Sequence, residues 1–334
     1  MKIGITGISQ SGKTTAFKIL LQADIPGTIG VFRIFDRRIE KLVELLSSKK
    51  ITYPEFIFTD LGPTSGFSKK ELAKLQEIDL FVCVIGAFFG GDPRKDFDSA
   101  LTDIIVSDLE LIQNRLDKLK KEQKKRDTEQ ESKVLEKCQA YVSEGNVLSG
   151  LGLTMDEIKL LSGLALLSLK PIVLAINTSD QEGFFPEEKI KSLMEYCASK
   201  GLEAIRFFGK TESELLELPA EEREKFMKEM GEGYSFREKM SGLITKKLEL
   251  LTFFTAGDKE TRGWHLRSGL PVIEAAGKIH SDIKRGFIRA EVMNYVDLIG
   301  YGSEHKVREA GLLRLEGKDY IVKDGDILNI RFNV

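Results

Sequence analysis

Apolar positions recur along the chain in two rhythms. Short runs of β-type residues alternate with stretches in which apolar side chains return every third or fourth position. Lys2-Ile3-Gly4-Ile5-Thr6, Glu55-Phe56-Ile57-Phe58, Leu80-Phe81-Val82-Cys83-Val84-Ile85 and Pro171-Ile172-Val173-Leu174-Ala175-Ile176 are of the first kind, and Ala204 to Phe208 is a shorter one. Such runs predict strands of a mainly parallel sheet, buried on both faces by helices. Thr14 to Leu21 and Leu160 to Leu169 carry the helical rhythm between them. From about Ala100 to Cys138 the chain is charged and almost free of Gly and Pro, with Ile105, Leu109, Ile112, Leu116 and Leu119 at helical spacing. That spacing predicts a long helix, one arm of an antiparallel pair. The loop Glu144-Gly145-Asn146 separates it from a second helical stretch, Met155 to Leu167. From about Glu249 short β-rich pieces and Gly-containing turns at 316–318 and 323–326 flank one helix, Pro271 to Ile279. The reading is an α/β domain over 1–100 and 168–248, a helical coiled-coil insertion over 101–167, and a small α+β domain over 249–334.

Composition narrows the functional classes. At 42% hydrophobic and 31% charged, the 334 residues are those of an ordinary folded protein. Fifty basic residues against 52 acidic leave a net charge of -2, so any nucleic-acid contact has to come from a local patch, and no DNA partner is expected. Cys83, Cys138 and Cys197 stand far apart and form no Cys-x-x-Cys pair, which excludes a disulfide framework or a zinc site and fits a reducing compartment. The longest apolar run, Leu80 to Phe89, is too short to span a bilayer, and the N-terminus has no apolar leader. The expectation is a cytoplasmic protein without a membrane partner.

Gly7-Ile8-Ser9-Gln10-Ser11-Gly12-Lys13-Thr14 fits G-x-x-x-x-G-K-[ST] without a mismatch, at the first strand-to-helix junction. Gly7 and Gly12 let the backbone curl so that successive N–H groups face phosphate oxygens, and the helix that opens at Lys13 adds the positive end of its dipole. Lys13 supplies charge to the β- and γ-phosphates, and Thr14, followed by Thr15, brings a hydroxyl to Mg²⁺. Asp60, at the end of a strand, is the natural second metal group. It opens Asp60-Leu61-Gly62-Pro63, in which proline, with no N–H, occupies the place of a γ-phosphate-sensing glycine; Gly62 is the alternative donor. No glutamine follows to orient an attacking water, so hydrolysis is expected to be slow.

Asn177-Thr178-Ser179-Asp180 closes the strand that starts at Pro171, where related GTP-binding sheets carry N-K-x-D. A carboxylate at Asp180 suits the guanine N1–H and N2–H₂ edge, whereas Thr178 stands where a lysine stem packs across the base. The same four residues also read as a plain loop cap.

With these residues in hand, the whole chain resembles the YchF family of Obg-like P-loop NTPases, as a divergent member. The C-terminal segments Phe253 to Gly257, Ile279 to Asp282, Gly286 to Val292, Glu316 to Val322 and Arg331 to Val334 carry the likeness to its TGS domain. The resemblance implies a G domain interrupted by a coiled-coil arm and followed by a TGS domain. It implies binding and slow Mg²⁺-dependent hydrolysis of ATP, GTP or both, and association with the ribosome or ribosomal RNA. By position, Gly7 to Thr14 hold phosphates and metal, Asn177 and Asp180 lie at the base, and Gly209 and Lys210 belong to a loop closing over it. The chain departs from the family at Gln10, where Asn is usual, at Asp180, where Glu is usual, and in a shorter segment between Ala23 and Gly30. That segment leaves Thr28 as the nearby threonine for the γ-phosphate and metal. Two other readings stay open: a nucleotide-gated binding protein, and an RNA-binding scaffold with negligible hydrolysis.

The run Lys118 to Arg126 is the densest cationic stretch. At the tip of a helical arm it suits RNA phosphates, and it equally suits a solvated helix face balanced by Glu129, Glu131 and Glu136. His265, His280 and Trp264 read as structural, and Cys83 as a small core residue.

Overall fold

The computed structural model describes residues 1–22, 27–61, 75–88, 92–121, 126–179, 186–229 and 235–333. Two compact units emerge, one of residues 1–31 and 57–244, the other of 32–56 and 245–334. In chain order the strands are β1 (Lys2–Thr6), β2 (Ile29–Arg33), β3 (Ile51–Thr52), β4 (Glu55–Asp60), β5 (Leu80–Ala87), β6 (Ile172–Thr178), β7 (Glu203–Phe207), β8 (Leu250–Thr255), β9 (Thr261–Arg267), β10 (Phe287–Asn294), β11 (Arg314–Glu316) and β12 (Asp326–Phe332).

The first sheet has the order β2-β4-β1-β5-β6-β7. β1 pairs in parallel with β4 and β5, β5 with β6, and β6 with β7. β5 and β6 are apolar and buried nearly throughout, as their sequences require. β4 differs from the reading of a fully buried strand: Phe56 and Phe58 point inward while Glu55 and Ile57 are exposed. With β1 central and flanked by parallel β4 and β5, the carboxyl ends of three strands lie around the turn that follows β1, where open α/β sheets bind ligands.

The arm corrects the sequence reading of one helix from Ala100 to Cys138. Two helices, Pro93–Lys121 and Arg126–Ser143, flank residues 122–125. Arg115 binds Glu131 with both prongs, at 2.6 and 2.8 Å, and Gln139 donates to Gln113 at 2.7 Å, so the two helices run antiparallel. Ile112, Leu116 and Leu119 meet Leu135, Cys138 and Val142 in one core. A second correction concerns Met155 to Leu167, which is helical only over Met155–Leu161. Thr154 and Glu157 form a reciprocal capping box at its start, and Ser162 and Gly163 stop it.

Asp108, fully buried, fixes the arm to the segment that leads into β6. Its carboxylate accepts from the amides of Leu167 (2.7 Å) and Ser168 (2.8 Å). Burial raises its pKa against the pull of those hydrogen bonds. Asp108→Ala leaves two buried N–H groups without an acceptor, so a loss of about 2–6 kcal/mol, from roughly 1–3 per orphaned group, is expected in urea unfolding. A change under about 0.5 kcal/mol would show that Asp108 does not hold the arm.

The second unit is a sheet of order β11-β10-β12-β8-β9-β3. Its helix Val272–Ile279 lies within one residue of the stretch read from Pro271. Residues 32–56 supply β3, parallel to β9, and helix Arg37–Leu46, capped by Asp36. Ile39 and Leu42 of that helix are buried with Phe254, Met293, Leu298 and Ile327. Arg38 ties Asp36 to Asp324 (2.7 and 2.6 Å) and lies over the Phe254 ring. The histidines read as structural have structural contacts. His265 packs against Phe56, and burial pushes its pKa down to about 4. His280 Nδ1 caps the short helix Ser281–Arg285. Trp264 donates to Thr255 Oγ1 and stacks on Phe253. All three cysteines are buried, and burial pushes the Cys83 thiol up to about 12. Among the described residues no helix is long and apolar enough to cross a membrane.

Candidate functional site

The turn after β1 is built from backbone that few side chains tolerate. Gly7 has φ of +141°, Gly12 +93°, and Gln10, between them, +62°. A Cβ on Gly7 would strike the Val84 carbonyl of β5, and one on Gly12 would strike the Asn177 amide of β6. The turn is therefore pressed against the middle of β5 and the end of β6, and glycine is required at both points.

Lys13 opens the helix Lys13–Leu21. Gly12 at its cap offers no side-chain acceptor, and the first turn has no acidic residue. The positive end of the helix is thus left uncompensated by its own side chains. Lys13 Nζ curls back to donate to the carbonyls of Ile8 (2.6 Å) and Gly7 (3.1 Å). Burial holds its ammonium below the ordinary range, against the upward pull of Asp60. Ser11 Oγ is buried and has no hydrogen-bond partner among the described residues. Amides, a helix terminus and a partly dehydrated cation converge here, which is the chemistry of a polyanion site.

The remaining candidates gather around that turn in two groups. Asn177, only 6% exposed, donates through Nδ2 to Ser11 O (3.3 Å) and accepts at Oδ1 from Gly209 N (3.0 Å). It links the turn, the end of β6 and the start of helix Gly209–Leu215, where Lys210 is exposed. On the other side, Asp60 at the end of β4 donates its amide to Thr28 O (2.7 Å), so these two metal candidates are neighbours. Ser9, Gln10 and Thr14 are exposed and Ile8 and Thr15 half-buried. Asp180 and Gly62 lie outside the described residues.

Sequence reading passed over Arg206. It stands opposite Ile176 in the β6–β7 pairing, and its Nε donates to Thr178 Oγ1 (2.9 Å). A basic residue in a half-buried edge strand gives no signal of its own until its partner is known. The donor set suits Mg²⁺. Among the described residues no group of three or more His, Cys, Asp or Glu side chains is placed to hold a metal. What the site offers is two threonine oxygens and one carboxylate, hard ligands for an ion that keeps several waters and shares phosphate oxygens.

Residues 250–333 match the family model YchF-GTPase_C, described as a protein of unknown function (DUF933). The Ribosome-binding ATPase YchF of Bacillus subtilis (strain 168) is 34% identical over 361 residues, covering 99% of both chains. Its namesake in Escherichia coli O157:H7 is 32% identical over 362 residues, covering 100% of this chain and 99% of the other. In fold the chain is similar to the Schizosaccharomyces pombe YchF GTPase, with a TM-score of 0.88 at 24% identity over 99% of this chain and 97% of that one. A GTP binding protein from Pyrococcus horikoshii OT3 gives a TM-score of 0.63 at 17% identity, over 100% of both chains.

Proposed function

The chain belongs to the YchF family, and from that premise we propose that it is a slow nucleoside triphosphatase that binds ATP, GTP or both and works on the ribosome. The observation that carries the reading is the turn Gly7 to Gly12, strained against β5 and β6 and leading straight into Lys13. Its relatives are named as ribosome-binding ATPases, and a ribosomal partner belongs in the cytoplasm.

In this reading the amides of residues 8–14 orient the triphosphate, and Ser11 Oγ is a further donor toward it. Lys13 exchanges its two carbonyl acceptors for β- and γ-phosphate oxygens and stabilises charge as the terminal phosphoryl departs. Thr14 and Asp60, with Thr28 beside Asp60, hold Mg²⁺, which when bound neutralises charge on the phosphate oxygens. Gly62 is the alternative phosphate donor where Pro63 has none. Asn177 sets the spacing between phosphate turn and base, and Asp180, Gly209 and Lys210 contact the base. Residues 1–100 and 168–248, apart from the 32–56 that join the second unit, act as the nucleotide domain and 249–334 as a TGS domain. The arm, 101–167, presents Lys118 to Arg126 to ribosomal RNA.

The test is steady-state phosphate release with ATP and with GTP, with and without ribosomes. Slow release that stops when EDTA removes Mg²⁺ is expected. Release at background under both conditions, despite measurable nucleotide binding, would replace the enzyme by a nucleotide-gated binding protein, the reading that Pro63 favours.

A further inference from the structure

We propose that Arg206 is the positioning residue for the purine base, doing from β7 what Thr178 cannot do from β6. The inference rests on the reading of the site as a purine nucleoside triphosphate site, and it adds the group that stands in for the missing lysine.

Three contacts carry it. Arg206 Nε donates to Thr178 Oγ1 at 2.9 Å, and its Nη1 donates to Glu187 Oε2 at 2.6 Å. Its Cζ lies 4.8 Å from the centre of the Phe208 ring. Thr178 ends β6 and Glu187 begins helix Glu187–Ser199, so one guanidinium bonds both flanks of residues 179–186. Phe208 immediately precedes Gly209, whose N–H holds Asn177. The same side chain therefore touches both segments assigned to the base.

The contacts are unequal in weight. Glu187 is mostly exposed, so its ion pair is screened and contributes little. Thr178 is buried, and its hydroxyl both accepts from Arg206 and donates to Phe207 O (3.4 Å), so it holds the guanidinium in one orientation. A lysine at 178 would offer one rotating ammonium, whereas the planar guanidinium fork reaches several acceptors from one fixed plane. Arg206 reads neither purine edge, so its effect falls alike on adenine and guanine nucleotides.

The experiment compares wild type, Arg206→Ala, Arg206→Lys and Lys13→Ala for binding of MgATP, MgGTP and inorganic triphosphate, by calorimetry. For Arg206→Ala, affinity for both nucleotides is expected to fall about tenfold, while inorganic triphosphate binds as to wild type. Arg206→Lys, which keeps charge and a single donor, is expected to fall between. An equal loss for inorganic triphosphate, or no loss for either nucleotide, would overturn the proposal. If wild type binds nucleotide, Lys13→Ala does not and Arg206→Ala is unaffected, only the role of Arg206 fails. If wild type binds none of the three, the nucleotide reading fails and this inference with it.

Discussion

Lys13→Ala is expected to weaken nucleotide binding strongly while leaving the fold intact. Among the described residues Lys13 Nζ donates to two backbone carbonyls, and burial works against its charge more strongly than Asp60 supports it. Its truncation removes those two bonds, so unfolding free energy should fall by no more than about 1–3 kcal/mol, from roughly 0.5–1.5 per hydrogen bond. The phosphate tail, by contrast, loses its cation at the place where the helix terminus and the turn amides converge. Removing one partner of such a partly buried charge pair costs about 2–5 kcal/mol, so affinity should fall at least about thirtyfold. Thermal unfolding reads both effects together. A ligand at 100 times its dissociation constant adds about 2.7 kcal/mol to wild type, and a variant weakened at least about thirtyfold should gain no more than about 0.9 kcal/mol at that concentration. A variant that nucleotide at that concentration stabilises as much as wild type would remove Lys13 from the site.

Gly12→Ala is expected to damage stability and binding at once, because two separate constraints meet at one Cα. The backbone there sits at φ +93°, which costs a residue with a Cβ about 1–3 kcal/mol. The new methyl also collides with the Asn177 amide, which bonds Ser11 O and Gly209 N. Losing that bridge adds about 0.5–1.5 kcal/mol for each hydrogen bond. Chemical denaturation should show the sum. Removing the amide in Gly12→Ala/Asn177→Ala should bring no recovery beyond relief of the clash, since the φ strain and the lost bridge remain. Wild-type stability in Gly12→Ala would mean that the turn is not pressed on β6 as described.

The parts of the fold that sequence shows are those in which local chemistry and tertiary role coincide. β1 was legible to the residue, and β5 and β6 nearly so, because an apolar run bounded by Gly or Pro has few other places to go. The strained turn from Gly7 to Gly12 was legible because its glycine spacing is set by backbone geometry rather than by packing. The division of the arm into helices Pro93–Lys121 and Arg126–Ser143 was not, since no Gly or Pro stands between them and charged residues continue the helical rhythm on both sides. Helix Arg37–Leu46 was missed although its signals are present. Asp36 caps it, and Ile39, Leu42, Val43 and Leu46 fall on one face. Its place beside β8, β10 and β12 depends on contacts more than two hundred residues away in sequence, which periodicity cannot reveal. Arg206 was invisible for the same reason, since its meaning comes from Thr178 and Glu187.

The most direct measurement is a crystal structure of the protein with magnesium and a non-hydrolysable nucleoside triphosphate. The account predicts phosphate oxygens on the amides of residues 8–14, Lys13 Nζ released from the Gly7 and Ile8 carbonyls, and the metal beside Thr14 and Asp60. Triphosphate bound elsewhere, or Lys13 still on those carbonyls with ligand present, would contradict it.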